Sequence, residues 1–472
     1  MSGGAVKRFP PLLFPPRFFW DDLNMASAAD SMASGISLSK FSQATDLKKR
    51  LWFTIGALIV FRMLSYVPLP GIDPTALLAL ASRTNGGVLD FFNTFSGGAL
   101  KRASLITLGV MPYITASIVV QLATSLSPTL AAIKKEGESG RKRLNQYTRY
   151  GTVGLTAIQG YVAAVSFEAG GAVIDPGMLF RIGAVISIVG GTMFLMWLGE
   201  QITSRGIGNG MSLIIMAGIV ANLPTTLYNL VEGSRSGSLD MGRFLGIIVA
   251  VVAIVLFICF MERAQRRILI QYPKRQTQRG MQADRSHLPL KLNTAGVIPP
   301  IFASSLLVMP LTIIQMAGSK LTADSRWGDV VISLNQYLTR GSPIYLTLYG
   351  LGIIFFSFFY TAVVFNPEET AENLKRYGGF IPGIRPGKNT EAYFDYVLTR
   401  ITVIGAGYLA IICLLPEYLA SALAIPFTLG GTSLLIVVNV TMDTVTQIQS
   451  HLLAHQYGDL IKKAKLKGGR LR

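Results

Sequence analysis

Residues 244–261 read FLGIIVAVVAIVLFICFM, an uncharged run bounded by Arg243 on one side and by Glu262 and Arg263 on the other. A helix of about twenty such residues crosses the roughly 30 Å hydrocarbon core of a bilayer. Nothing in the run marks a polar face for water. Apolar residues can line every side of a helix only where the surroundings are themselves hydrocarbon.

Outward from this run the whole composition agrees. Half of the 472 residues are hydrophobic, 14% are charged, and the mean hydropathy is +0.46. A soluble domain of this length needs far more charge to cover its surface, so a large water-soluble core is excluded. Ten apolar stretches of spanning length are read near 50–69, 105–125, 149–168, 179–200, 207–228, 241–261, 294–315, 343–365, 396–416 and 427–448. The weakest are 105–125, with Pro112 and Gln121, and 207–228, which opens on Gly206, Gly208 and Gly210. Such interruptions are tolerable only where protein or a water cavity satisfies the freed backbone.

The net charge of +18, from 43 Lys and Arg against 25 Asp and Glu, is not evenly spread. Lys48, Lys49 and Arg50 precede the first stretch, and Lys134, Lys135, Arg141, Lys142, Arg143 and Arg149 lie between the second and third. Further clusters fill 263–291, 375–388 and 462–472. With ten spans all of these fall on one side, and by the positive-inside rule that side is the cytoplasm. Both chain ends are then cytoplasmic. Excess positive charge also suits nucleic-acid or acidic-protein partners, but loop charge is its first meaning in a membrane protein.

The search for an enzyme finds little. GIRPGKN, residues 383–389, has the wrong spacing for a phosphate loop and ends on Asn389 rather than Ser or Thr, so it reads as a turn. His451 and His455 share a helical spacing without a zinc-protease motif. Cys259 and Cys413 fall in apolar stretches without a CxxC pattern, and no disulfide framework, catalytic group, metal site or cofactor is predicted. Arg62, Glu200, Glu417 and Asp443 all sit near span ends rather than mid-membrane, which weakens a reading as an ion-coupled carrier. Residues 91–104, FFNTFSGGALKRAS, fit either a short amphipathic helix folding back into the bundle or one resting on the outer interface.

Several stretches, in order, resemble the SecY family of protein-translocation channels: FNTFSGGALKRAS and LGVMPYITASIVVQL (92–122), IKKEGESGRKRLNQYTRYGT (133–152), and GTMFLMWLGEQITSRGIGNGMSLIIMAGIVANLP (191–224). HLPLKLNTAGVIPPIFASS (287–305), FFYTAVVFNPEETAENLKRYGGFIPGIRPGKNTEAY (358–393) and PFTLGGTSLLIVV (426–438) complete the set, and the likeness runs from about Leu47 to Leu466. Residues 1–24 have no counterpart.

The resemblance implies an all-α membrane protein of about ten transmembrane helices in two pseudo-symmetric inverted five-helix halves, with a short plug helix. The segments expected are a cytoplasmic 1–46, an N-terminal half 47–228 with its plug at 89–104, a C-terminal half 229–448, and a basic tail 449–472. It also implies a pore ring of Val110, Ile114, Ile215, Ile301 and Ile436, with Val110 where relatives usually carry Ile. The plug would include Phe92, Phe95, Ser96, Gly97 and Gly98. Thr115, Gln121 and Asn293 are the polar contacts expected at a lateral gate. Loops 262–291 and 366–395 would dock the SecA motor or ribosomal RNA through Lys274, Arg275, Arg279 and Arg385, although Gly280 replaces a second Arg common in relatives. The expected partners are SecE-like and SecG-like small membrane subunits, SecA, the ribosome, unfolded secretory and membrane polypeptides, and lipid. The expected location is the bacterial cytoplasmic membrane. A small-solute carrier and an intramembrane protease are the rival classes; neither finds its ion ligands or catalytic pair in the spans.

The Pro- and aromatic-rich first 24 residues precede Met25, which opens an Ala- and Ser-rich polar segment. Mass analysis of the purified protein's N-terminus is expected to find a chain that begins at Met25. A mass that includes residues 1–24 would instead make them a real interfacial tail.

Overall fold

A computed structural model describes residues 45–73, 75–77, 93, 96–237, 240–272, 275–277, 280–282, 285–307, 342–422 and 430–468. The chain divides into two compact units, one of Met1–Leu51 with Ile448–Arg472, the other Trp52–Gln447. In the first, the described residues are helical from Thr45 and again from Ile448 to Gly468. The candidate site residues all have numbers within the second.

Each of the ten apolar stretches carries a helix. They are α1 (Thr45–Leu64), α2 (Met111–Leu126), α4 (Glu138–Ala169), α5 (Met178–Arg205), α6 (Gly210–Arg235), α7 (Met241–Arg263), α8 (Ile298–Leu307), α9 (Pro343–Val364), α11 (Lys388–Ala422) and α12 (Gly431–Gly468). Two short helices, α3 (Pro128–Lys135) and α10 (Pro367–Arg376), complete the described set. Among the described residues α5, α6, α7, α9 and α11 are long and apolar enough to cross a membrane, and α2 with α3 is a sixth if that pair, bent by 101°, is one broken span. The bend falls at Ser127–Pro128, where proline removes a backbone donor and restricts the residue before it.

Helix ends depart from the predicted stretches for identifiable reasons. α4 begins eleven residues before the apolar stretch at 149, in a polar turn that includes the Lys142–Glu138 pair at 3.2 Å. Hydrogen bonding inside the helix lets it continue beyond the apolar stretch into a polar one. The opposite happens at 105–110, expected to be helical and found as turns. There Leu105 N–H donates to the Val67 carbonyl and Leu69 N–H to the Ala103 carbonyl, both at 2.9 Å, so the chain pairs with the residues that follow α1. Gly109, at φ +57°, occupies the left-handed region, and α2 starts only beyond it with Pro112 in its first turn.

The described residues are mostly helical, as expected; the loop at 262–291 adds strands that the all-α expectation did not include. β1 (Gln265–Gln271) pairs antiparallel with β4 (Arg285–Lys291), from Gln265 opposite Lys291 to Gln271 opposite Arg285. Beyond them β2 (Arg275–Thr277) pairs with β3 (Gly280–Gln282). Ile268 and Ile270 are buried while Gln265 and Arg267 are exposed, the alternation of a half-buried strand. The positive-charge reading of this loop took no account of that period-two pattern.

Small residues set the closest helix approaches. A Cβ on Gly191 of α5 would overlap the Leu105 carbonyl, whereas one on Gly190 would meet nothing within 4 Å. Gly191→Val is therefore expected to lower stability by about 1–3 kcal/mol by displacing the 105–110 turns. Gly190→Val should be near neutral; thermal unfolding of the two detergent-solubilised variants checks the contrast.

Candidate functional site

The candidate pore ring draws on four elements far apart in sequence. Val110 is the N-cap residue of α2 and Ile114 lies one turn further on, at the i, i+4 spacing that shares a face. Ile215 is on α6, Ile301 on α8 and Ile436 on α12. Val110, Ile215, Ile301 and Ile436 are buried in one apolar cluster, and Ile114, half-buried, rests against it. The fold thus brings all five predicted residues together. Their aliphatic side chains offer water no hydrogen bond, which is the chemistry of a hydrophobic constriction.

The segment before α2 joins the same cluster. Ala99, Leu100, Ala103, Ile106 and Leu108 are each no more than 6% exposed within it. Of the expected plug at 89–104, residues 89–92, 94 and 95, Phe92 and Phe95 among them, lie outside the described residues; Asn93 is helical, and 96–110 run mainly as turns. Gly97 at φ +68° and Gly98 at φ +83° make the reversal, a conformation that L side chains rarely adopt. Asn93 braces it: its carbonyl accepts Gly98 N–H at 2.9 Å and its Oδ1 accepts Lys101 N–H at 3.1 Å. Gly97 lies against the backbone of Gly218 on α6, where a Cβ would come within 3.1 Å of the Gly218 Cα. Gly218 is three residues beyond Ile215, so the segment rests beside the ring.

The glycine-broken link from α5 to α6 is held by side chains from three helices. Ile207 N–H donates to Thr54 Oγ1 of α1 (3.1 Å), Gly208 N–H to Gln447 Oε1 of α12 (2.9 Å), and Gly210 N–H to Thr203 Oγ1 of α5 (2.8 Å). Asn209 caps α6 by accepting from Met211 N–H at 3.1 Å.

Each of the three polar residues expected at a lateral gate has hydrogen-bond partners other than the other two. Thr115 donates to the Met111 carbonyl at 3.1 Å and Gln121 to Ser117 Oγ at 3.3 Å, both within α2. Asn293, just before α8, donates instead to Glu262 Oε2 at 3.1 Å and to the Gly296 carbonyl at 3.2 Å. Glu262, at the end of α7, is 7% exposed. Sequence reading passed over it as one charge in a basic loop; a lone carboxylate directly after an uncharged run of span length was the available signal.

Apolar contacts do connect α2 across the molecule. Val110 and Met111 belong to the cluster with Ile215, while Ile118 belongs to a second cluster built on α7, α8, α9, α11 and α12, and Ile114 touches both.

The two predicted docking loops form one body. Gln271 and Phe380 exchange N–H to carbonyl bonds, each 2.9 Å. Ile268 and Leu290 from the strands, Ala371 from α10, and Ile381, Phe394 and Leu398 share a third apolar cluster. Arg385 is exposed on a turn between Gly383 and Gly387, both at positive φ, and its carbonyl accepts Thr390 Oγ1–H at 3.1 Å. GIRPGKN is thus a turn leading into α11. Arg275 opens β2; Lys274 and Arg279 lie outside the described residues. Among the described residues no group of three His, Cys, Asp or Glu is placed to hold a metal.

Asn293→Ala would leave the buried Glu262 carboxylate without its amide donor, at an expected cost of about 1–3 kcal/mol. Gln121→Ala removes only a bond within an exposed helix face and should change stability by less than about 0.5 kcal/mol. Thermal unfolding of the purified variants separates the two.

A profile of the SecY family matches residues 104–445. The protein translocase subunit SecY of Escherichia coli (strain K12) is 53% identical over 428 residues, covering 90% of this chain and 96% of its own. Its counterpart from Vibrio cholerae is 51% identical over 430 residues, covering 90% and 96%, and that from Rickettsia typhi 50% over 439, covering 92% and 100%. Among solved structures, one described as the structure of a protein conducting channel aligns with a TM-score of 0.58 at 18% identity, covering 86% of this chain and 92% of that one. Sec61 in the canine ribosome-channel complex from the endoplasmic reticulum aligns with a TM-score of 0.59 at 17% identity, with the same coverage. With half of its residues shared with bacterial translocase subunits over nearly their full length, and with the fold of the protein-conducting channels, this chain belongs to the SecY family.

Proposed function

We infer that this chain is the channel subunit of a membrane-embedded protein translocase. It passes unfolded polypeptides across the membrane and is not itself an enzyme. The observation that carries the reading is the buried cluster in which Val110, Ile114, Ile215, Ile301 and Ile436 meet, with Ala99–Leu108 against it. A narrow aliphatic neck resists wetting, yet it can part around a passing chain without breaking polar bonds.

The finer reading has these parts. The chain crosses the bacterial cytoplasmic membrane about ten times in two inverted halves, with both ends in the cytoplasm. Residues 89–104 act as the plug that closes the outer funnel. α2 and α8 border a lateral gate through which signal sequences and membrane helices reach lipid. Few polar bonds oppose their separation, since Thr115 and Gln121 bond within α2. Apolar contact is readily exchanged for lipid contact, so such a seam opens at low cost.

Energy comes from partners: the SecA motor, or translation on the ribosome. SecE-like and SecG-like subunits complete the complex. The body formed by the loops at 262–291 and 366–395 is where motor or ribosome docks, with Arg385 on its exposed turn. Its fixed backbone favours the role, because a docking surface held by its own small core loses little freedom on binding.

Reconstitution with the small subunits and SecA tests the reading through ATP-dependent protease protection of a secretory precursor. The unmodified complex is expected to protect it, and Arg385→Glu to reduce protection roughly tenfold or more. Protection unaffected by the substitution moves docking away from Arg385. No protection from an assembled complex would count against the channel and favour a solute carrier.

A further inference from the structure

Two guanidinium groups converge on a single carbonyl oxygen in the segment beside the ring. Arg62, near the end of α1, donates from Nη1 to the Gly97 carbonyl at 2.8 Å. Arg102, from the other side of the reversal, donates from Nη2 to the same oxygen at 2.7 Å. Each guanidinium is fixed by further bonds. Arg62 Nη2 donates to Tyr66 Oη at 3.0 Å, and Arg102 Nε donates to the Ser65 carbonyl at 3.2 Å. Tyr66 also presents its ring to both, with the guanidinium carbons 4.9 Å and 4.4 Å from its centre.

Among the described residues no carboxylate pairs with either arginine. Like charges this close repel, and burial followed by the neighbouring Arg62 charge lowers the proton affinity of Arg102 from its ordinary value. The shared acceptor is what holds the pair together. That acceptor belongs to the residue whose backbone rests on Gly218 of α6.

We propose that Arg62, Arg102 and Tyr66 are positioning residues that latch the plug segment shut by clamping the Gly97 carbonyl against α6. Outward movement of Gly97 breaks the Arg62 bond, together with either the Arg102 bond to Gly97 or the Arg102 bond to Ser65, and takes from two half-buried cations the acceptor they share. The clamp therefore works as a two-state catch rather than a graded tether. It demands forked donors: each arginine bonds two acceptors in different directions, which the single ammonium of lysine cannot reproduce. The proposal rests on the reading of this segment as the plug.

The test uses the complex with its small subunits in sealed vesicles, without motor or precursor. Two quantities are read: halide leak, and the rate at which Ser96→Cys reacts with a membrane-impermeant maleimide. Ser96 is 1% exposed in the closed arrangement. Arg62→Gln and Arg102→Gln are each expected to raise both readings by about tenfold or more, the loss of a charge-assisted bond. The double variant should go little further than either single one, because both bonds end on one atom. Lys at either position should behave like Gln, and it serves where a Gln variant fails to assemble.

A complex lacking residues 96–101 separates the latch from the plug. If that deletion leaks while the arginine variants stay tight, or if Lys fully restores the seal, the latch is overturned and the plug stands. If the deletion does not leak, the plug reading fails and the latch with it.

Discussion

A backbone N–H or carbonyl at membrane depth has no water to turn to, and each one left unpaired costs several kcal/mol. Helices meet this demand internally, which is why almost every apolar stretch of the chain is helical. The informative places are where the helix stops. Between α5 and α6 the freed N–H groups of Ile207, Gly208 and Gly210 reach Thr54, Gln447 and Thr203. Before α2, Leu105 N–H bonds to the Val67 carbonyl and Leu69 N–H to the Ala103 carbonyl in a short paired stretch. Both breaks adjoin the ring, since the residues that follow them are Ile215 on α6 and Val110 at the start of α2.

The same demand bears on the apolar cluster that holds the candidate ring residues. The five candidate ring residues come from α2, α6, α8 and α12, and the cluster that holds them, to which α1, α4 and α5 also contribute, is largely aliphatic. α2, α8 and α12 each contribute both to this cluster and to the second, built mainly from residues beyond 250. A helix shared between two apolar bodies is held by dispersion and shape rather than by directional bonds. Directional bonds are reserved for parts that must hold one position, such as Asn293 on Glu262 and the arginines on Gly97.

Outside the apolar spans a different logic applies. The strands at 265–291, α10 and the start of α11 bury Ile268, Leu290, Ala371 and Phe394 together, as a soluble domain does. The hydrophobic effect, absent between helices in lipid, operates there in full. It turns two basic loops into one rigid platform, with Arg385 exposed on its turn.

What the sequence determined by itself was everything governed by solvent: where apolar runs lie, which loops carry positive charge, and where glycine and proline interrupt helices. Those properties are local, so Pro112, Gly206 and the run at 244–261 could be read directly. The five ring residues were named through a family likeness, because nothing local distinguishes Ile215 from Ile214 or Ile436 from Leu435; all are buried aliphatics. Only the tertiary structure decided the rest. Asn293 bonds to Glu262, Ser104 and Leu105 pair with the chain that follows α1 in place of a helical start at 105, and a basic loop folds as strands. In each case the partner lies far along the chain or on another element, and a hydrogen bond depends on distance and direction that no local pattern encodes.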